Sequence, residues 1–222
     1  MAVQMTFKNF FQYGFNGCRH AFRILVHKIC VGYFCFRAGL YWRGLMHDLS
    51  KFHPKEFIPG MIYYNADHSP IIEAKKDKGW SQAWMHHKGI NSHHYEHWVD
   101  ELDSGACLVR MPFEDALEMV CDGLGAVIAY NWKIEGCYER EWQWWTSNQK
   151  KFAMHPHTRA FRHAMIKRMR DEHSCSCLDR GIARFEYSQL LTEYEGVPPM
   201  VPLKDCGWKE PETVEERRFW NG

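Results

Sequence analysis

Fourteen histidines are distributed along this chain of 222 residues, and eight of them fall between His47 and His97. The order that could carry chemistry is His27, the adjacent pair His47-Asp48, His87, the adjacent pair His93-His94, and then Asp122. Imidazole and carboxylate donors suit zinc, iron, manganese or nickel, and a carboxylate can bridge two ions a few ångströms apart. Asp48, with histidines on both sides of it in the sequence, is the natural bridge. Each residue also has an ordinary use. A lone histidine on an apolar helix is more often a hydrogen-bonded core residue, an Asp beside a helix start is a cap, and Asp122 lies off the apolar stripe of its helix, where it could meet solvent. The set as a whole favours a metal site.

Such ligands must be delivered by elements that converge. Residues 7–40 are mostly apolar and aromatic without strand-like alternation, and Gly14, Gly17 and Gly32 suggest two consecutive helices. In the second, Phe22, Ile24, Leu25, Val26, Ile29, Val31, Phe34 and Phe36 cover nearly every direction, the pattern of a helix buried on most sides, while His20, Arg23 and His27 share one stripe. Gly39 and Gly44 bracket a short segment that delivers His47-Asp48, and Pro54 and Pro59 then break regular structure. Residues 81–102 are expected to form one helix, with His87, Asn91, His94 and Trp98 on one face and His86, Ile90, His93 and His97 on the next. A further helix starts near Pro112, with Leu117, Val120, Cys121, Leu124, Val127 and Ile128 as its apolar stripe and Asp122 beside Gly125, Ala126 and Ala129. Residues 139–151 are rich in Trp and fit core or cover; residues 158–170 form a basic helix, by default a solvated face. From about His173 onward four prolines and weak periodicity predict a mostly irregular wrap. With no βαβ pattern or internal repeat, the expected class is all-α, with a helical metal-binding domain over residues 1–172 and a C-terminal extension over 173–222.

The order His, His-Asp, His, His, Asp on consecutive helices resembles the HD-domain superfamily of metal-dependent phosphohydrolases. The stretch His47-Asp48-Leu49-Ser50-Lys51, with the later Trp84-Met85-His86-His87-Lys88-Gly89-Ile90-Asn91-Ser92-His93-His94-Tyr95-Glu96-His97-Trp98, is also similar to an uncharacterised HD-like family of bacteria and bacteriophages, over roughly residues 20–158. The resemblance implies an HD-like helical bundle in which His27, His47, Asp48 and Asp122 hold one ion, and Asp48 bridges to a second held by His87 and by His94 or His93. One departure is that the third and fourth histidines are only six or seven residues apart, closer than in many two-metal members, so the pairing at the second ion stays open. Lys51 falls where many HD proteins place a lysine on the substrate phosphate, and Arg23 and Lys88 are further candidates for that role. The implied cofactor is one or two divalent ions of manganese, iron, nickel, cobalt, zinc or magnesium, and the implied substrate a nucleotide or other phosphorylated small molecule, with Asp48 and Lys51 nearest the chemistry. Two other readings share the same ligands: a mixed-valent di-iron oxygenase, and a non-catalytic protein whose metal only staples helices.

Composition narrows the field further. Lys and Arg total 28 against 27 Asp and Glu, a formal charge of +1, which provides no global field for nucleic acid or an anionic membrane. Nine scattered cysteines without a CxxC pair suggest reduced thiols. No signal peptide is evident, and the longest apolar stretch, about eight residues, falls short of the roughly 20 a bilayer requires. The expectation is a cytoplasmic protein with no membrane partner, and homo-oligomerisation is compatible with its composition.

Overall fold

The computed structural model describes residues 7–103 and 105–206. Among them lie nine α-helices and one small sheet, so the chain is predominantly all-α. Residues 1–6 and 207–222, which belong to the expected N-terminal domain and C-terminal extension, lie outside the described residues.

Helix α1 (Phe7–Arg37) is a single helix, not two. Its internal glycines are points of close approach: a Cβ on Gly17 would lie 3.1 Å from Met61 Sδ, and Gly32 faces the backbone of Gly44. One stripe of α1, formed by His20, Ile24, His27, Val31 and Phe34, is buried, while Phe22, Leu25, Ile29 and Phe36 are exposed, so the expected burial on most sides is not met among the described residues. After Gly39, whose positive φ reverses the chain at little steric cost, α2 (Tyr41–Met46) packs back on α1. A 3-10 turn over Leu49–Phe52 leads into α3 (Pro54–Ile62), followed by α4 (Pro70–Lys78) and α5 (Gln82–Ile90). Pro54 and Pro70 occupy first helical positions, where the missing N–H costs nothing, and His53 Nδ1, Ser69 Oγ and Ser81 Oγ accept from the first free amides of α3, α4 and α5.

Helix α5 ends at Ile90, well short of the Leu102 expected from periodicity. Asn91 terminates it by donating Nδ2–H to the His87 carbonyl at 2.8 Å, and Tyr95–Trp98 form a 3-10 turn. The chain then enters an antiparallel sheet of β1 (Val99–Leu102), β2 (Gly105–Val109) and β3 (Met200–Pro202), in the order β1-β2-β3, with Val99 opposite Leu108 and Leu108 opposite Val201. These strands are too short for a period-2 signal to stand out.

The central helix is α6 (Phe113–Asn131), buried on most sides. It crosses α1 so closely that a Cβ on Gly125 would lie 2.3 Å from Val31 Cγ2 and 2.8 Å from the Val31 backbone nitrogen. Around this crossing, Phe34 of α1, Leu117 and Leu124 of α6, Trp145 of α7 (Cys137–Asn148) and Phe161 and Met165 of α8 (Pro156–Asp171) form the main core. The Trp-rich segment therefore contributes core, as expected. The basic helix α8 is less solvated than its composition suggests: Arg162 forms a buried pair with Glu141 at 2.7 Å, Arg159 donates to the carbonyls of Gln149 and Phe152, and Arg170 lies over the Trp142 ring. Within the C-terminal extension, the described residues 173–206 are not mostly irregular. They contain α9 (Arg180–Glu193), capped by Asp179 and packed into the main core through Ala183, Tyr187 and Leu190. Ala183, Tyr187, Leu190 and Leu191 fall at i, i+4, i+7 and i+8, a helical stripe that the sequence carries and that the prolines further on overshadow.

Candidate metal centre

Four elements bring the predicted ligands together: α1 supplies His27, the α2–α3 connection His47 and Asp48, the end of α5 and the turn after it His87, His93 and His94, and α6 Asp122. Asp48 is left-handed at φ 55°, a conformation costing a non-glycine residue about 1 kcal/mol or more but tolerated best by Asp and Asn. At a site where one carboxylate must face two groups of ligands, that local strain fits a functional constraint.

The first group consists of His27 Nε2, His47 Nε2, Asp48 Oδ2 and Asp122 Oδ1. His27 Nε2 lies 3.2 Å from Asp48 Oδ2 and 3.1 Å from Asp122 Oδ1; His47 Nε2 is 3.4 Å from each of those oxygens and 3.4 Å from His27 Nε2. With metal–ligand bonds of about 2.0–2.2 Å, donors around one ion stand roughly 3.0–3.6 Å apart. The second group faces the other oxygen of the same carboxylate: Asp48 Oδ1 lies 3.3 Å from His87 Nε2 and 3.4 Å from His93 Nε2, and His94 completes the set, with the ligand atoms of each group all within 4.8 Å of one another. Asp48 Oδ1 and the Nε2 atoms of His87, His93 and His94 are buried without a hydrogen-bond partner. Unpaired buried polar atoms of this kind are costly, and four of them aimed at one point fit a divalent ion. His93 and His94 both face inward because the helix ends before them; on a continuous helix, consecutive residues point about 100° apart.

Two carboxylates absent from the sequence-based set hold these rings. Glu118 Oε1 accepts from His47 Nδ1 at 2.9 Å and stands 3.3 Å from His93 Nδ1, while its other oxygen accepts from Arg43 at 2.8 Å. Glu56 accepts from His87 Nδ1 at 2.7 Å and from His86 Nδ1 at 2.6 Å. With the proton on Nδ1, the Nε2 lone pairs point inward, the tautomer a metal ligand requires. The signal for Glu118 is present in the sequence: Asp115, Glu118 and Asp122 recur at i, i+3 and i+7 on a helix otherwise apolar, and acids there need buried partners. Glu56, two residues after a proline, carries no comparable sequence cue. His86 is held away from the centre by Glu56, and His97 is exposed with Nδ1 on the Lys88 carbonyl.

Burial alone would raise the Asp48 pKa, but the charges of His47, Lys51 and His87 hold it well below the usual carboxylate range; hydrogen bonds from His27 and His47 do the same for Asp122. Burial, reinforced by His93 and His87, pushes the His94 pKa well down and keeps its imidazole neutral. Burial would lower the pKa of His47 and His87, but Asp48 outweighs it and raises both, so an ion at the centre takes the place of their second protons.

A pocket opens beside the second group, lined by Lys51, His87 and Glu56, by Tyr64 and Tyr130, and by apolar walls that include Ile24 and Ile71. Lys51 Nζ is 2.5 Å from Asp48 Oδ2. Burial would lower its pKa, but the charges of Asp48 and Asp122 outweigh that and raise it, so the ammonium persists. Arg23 also lines the pocket, though its guanidinium is tied to the carbonyls of Ala129 and Ala66 and stacks over Tyr130 and Trp132. Lys88 is not among the lining residues; its charge acts on Glu96 and Lys75.

The fold and centre together define a helical protein with a buried His/Asp cluster able to hold metal. Residues 17–168 match a family model described as a family of unknown function (DUF5662), and the chain belongs to that family. No curated protein and no solved structure matches it.

Proposed function

We propose that this protein is an HD-type, divalent-metal-dependent phosphohydrolase acting on a nucleotide or another phosphorylated small molecule. The observation that supports this reading best is the division of Asp48: one oxygen faces His27, His47 and Asp122, the other His87 and His93, on opposite sides of one carboxylate. Bound at these two positions, divalent ions supply positive charge to phosphoryl oxygens and lower the pKa of water. The remaining work belongs to the chain. Asp48 fixes the separation of the two donor groups, and Glu118 and Glu56 keep the imidazoles turned inward. Lys51 offers a point charge at the pocket wall to a phosphate, and Tyr64, Tyr130 and the apolar walls shield the rest of the substrate from water.

The test is elemental analysis of protein purified without added metal, combined with phosphate-release assays over nucleotides in Mn²⁺, Co²⁺, Ni²⁺ and Fe²⁺. About two ions per chain with metal-dependent phosphate release supports the proposal. Iron with O₂ consumption and no phosphate release replaces it with the oxygenase, and tightly held metal without turnover of either kind replaces it with a structural site.

A further inference from the structure

The side of α1 that faces away from the metal centre carries an apolar seam. Phe15, Phe22, Leu25, Ile29, Tyr33 and Phe36 are 44–71% exposed. Together with the exposed Cys18 they recur at intervals of three and four residues, a mean of 3.5 over residues 15–36. That is the period by which one helix packs along another, not the pattern of scattered surface residues. Helix α2 widens the seam: Tyr41 meets Phe36 edge to face at 5.4 Å, and Trp42 and Leu45 are 71% and 54% exposed.

We propose that this face is a two-fold interface with a second copy of the chain, α1 packing on its counterpart. Large aromatic side chains bury about 150–250 Å² each when covered. At 44–71% exposure, the nine side chains leave on the order of the ~800 Å² per partner that a stable interface requires. A self-complementary patch closes as a dimer, and a net charge of +1 does little to oppose it.

The described arginines and Lys28 of α1 argue against a lipid surface, which pairs an apolar face with free cations. Arg23 donates to Ala129 and Ala66, Lys28 to Leu45 and His47, and Arg37 to Tyr33; Arg19 lies over Phe15 and Tyr64. His20 and His27 project from the opposite side of α1, so such a dimer leaves the metal centre and its pocket uncovered.

The interface is tested by sedimentation of the full chain against a Phe22→Glu/Ile29→Glu variant, with helix content and metal content measured on both. The wild type is expected to be a dimer at micromolar concentration. The variant is expected to be a monomer of unchanged helix and metal content, with association weakened by 100-fold or more. Should the double variant fail to fold, Trp42→Glu, altering one of the most exposed side chains, is expected to weaken association by tenfold. A wild-type monomer overturns the proposal, whether it remains in solution or binds phosphatidylserine vesicles, as does a dimer that none of these substitutions weakens.

Discussion

Glu118 Oε1 lies 2.9 Å from His47 Nδ1, on the side of the ring away from Asp48. That contact decides which imidazole nitrogen remains for an ion. A carboxylate behind a ligating histidine fixes its orientation and raises its basicity, and removing it costs 10–100-fold in metal affinity. Glu118→Gln is therefore expected to bind metal 10–100-fold more weakly in competition with a chelator, while Glu118→Ala also unfolds more easily, because Arg43 loses one of its two carboxylates. Wild-type affinity in Glu118→Gln would remove Glu118 from the site.

The ligands themselves are legible in the sequence even though they span 95 positions, because imidazole and carboxylate types in a fixed order limit the chemistry regardless of distance. How His93 and His94 reach the same centre is hidden. The helical period over residues 81–102 runs on through Asn91, where an amide bonding to the His87 carbonyl stops the helix instead. A side chain capping its own helix leaves hydrophobic periodicity unchanged, so the break cannot be read from it. For Glu118 the spacing with Asp115 and Asp122 is visible, but its partner is not: burial of the acid depends on Arg43, 75 residues away, and no local pattern reports a partner at that distance. The exposed half of α1 escapes a sequence reading because apolar residues all round a helix say that it is covered without saying by what.

Asp48 and Asp122 predict different losses. Asp48 contributes an oxygen to each group, so Asp48→Ala is expected to reduce bound metal from about two ions per chain to near zero. Asp122 contributes to one group only, and Asp122→Ala is expected to retain about one. Because an ion that binds only the folded state stabilises it by mass action, the melting temperature should fall in the same order, from wild type to Asp122→Ala to Asp48→Ala. Equal metal content in the two variants would contradict a bridging role.

Lys51 separates phosphate binding from simple neutralisation of Asp48. Its ammonium sits at the pocket wall beside the metal ligands. Lys51→Ala is expected to retain metal but lose about tenfold or more in kcat/KM toward a phosphorylated substrate, the size of one charge-assisted hydrogen bond. Unchanged kinetics in a phosphatase-active preparation would leave Lys51 as a partner of Asp48 alone.

His157, fully buried on α8, carries a pH dependence of stability that is independent of metal. Burial lowers its pKa to about 4, only partly opposed by its hydrogen bond to the Tyr187 carbonyl, with Arg110 and His155 adding to the lowering. Unfolded histidine titrates near 6.5, so between those values the unfolded chain binds the extra proton. Stability is therefore retained above about pH 6.5 and lost as the pH falls toward 4. At pH 5 the loss from this group is about 2 kcal/mol. In urea titrations at pH 7.5 and 5.0, His157→Gln should lose about 2 kcal/mol less than wild type between the two conditions; an identical pH dependence would exclude His157 as its source.

The crossing of α1 and α6 joins the fold to the metal centre. Gly125 is one helical turn beyond Asp122, and its missing side chain lets Val31 approach; Val31 is one turn beyond His27 on α1. Gly125→Ala would place a methyl group 2.3 Å from Val31 Cγ2 and 2.8 Å from backbone. Rotation of the valine can relieve the first contact but not the second, so the helices must separate. Overpacking of this kind costs about 1–3 kcal/mol, outweighing the gain of up to about 1 kcal/mol from replacing a helical glycine with alanine. Moving the helices apart also moves His27 from Asp122, now 3.1 Å away, and an ion with bonds of about 2.0–2.2 Å accommodates little of that. Gly125→Ala is thus expected to lower both the melting temperature and the occupancy of the His27–His47–Asp122 group, while the His87–His93–His94 group keeps its ion. A stabilised variant with full metal content would mean that the helices tolerate a wider crossing and that their spacing does not set the geometry of the centre.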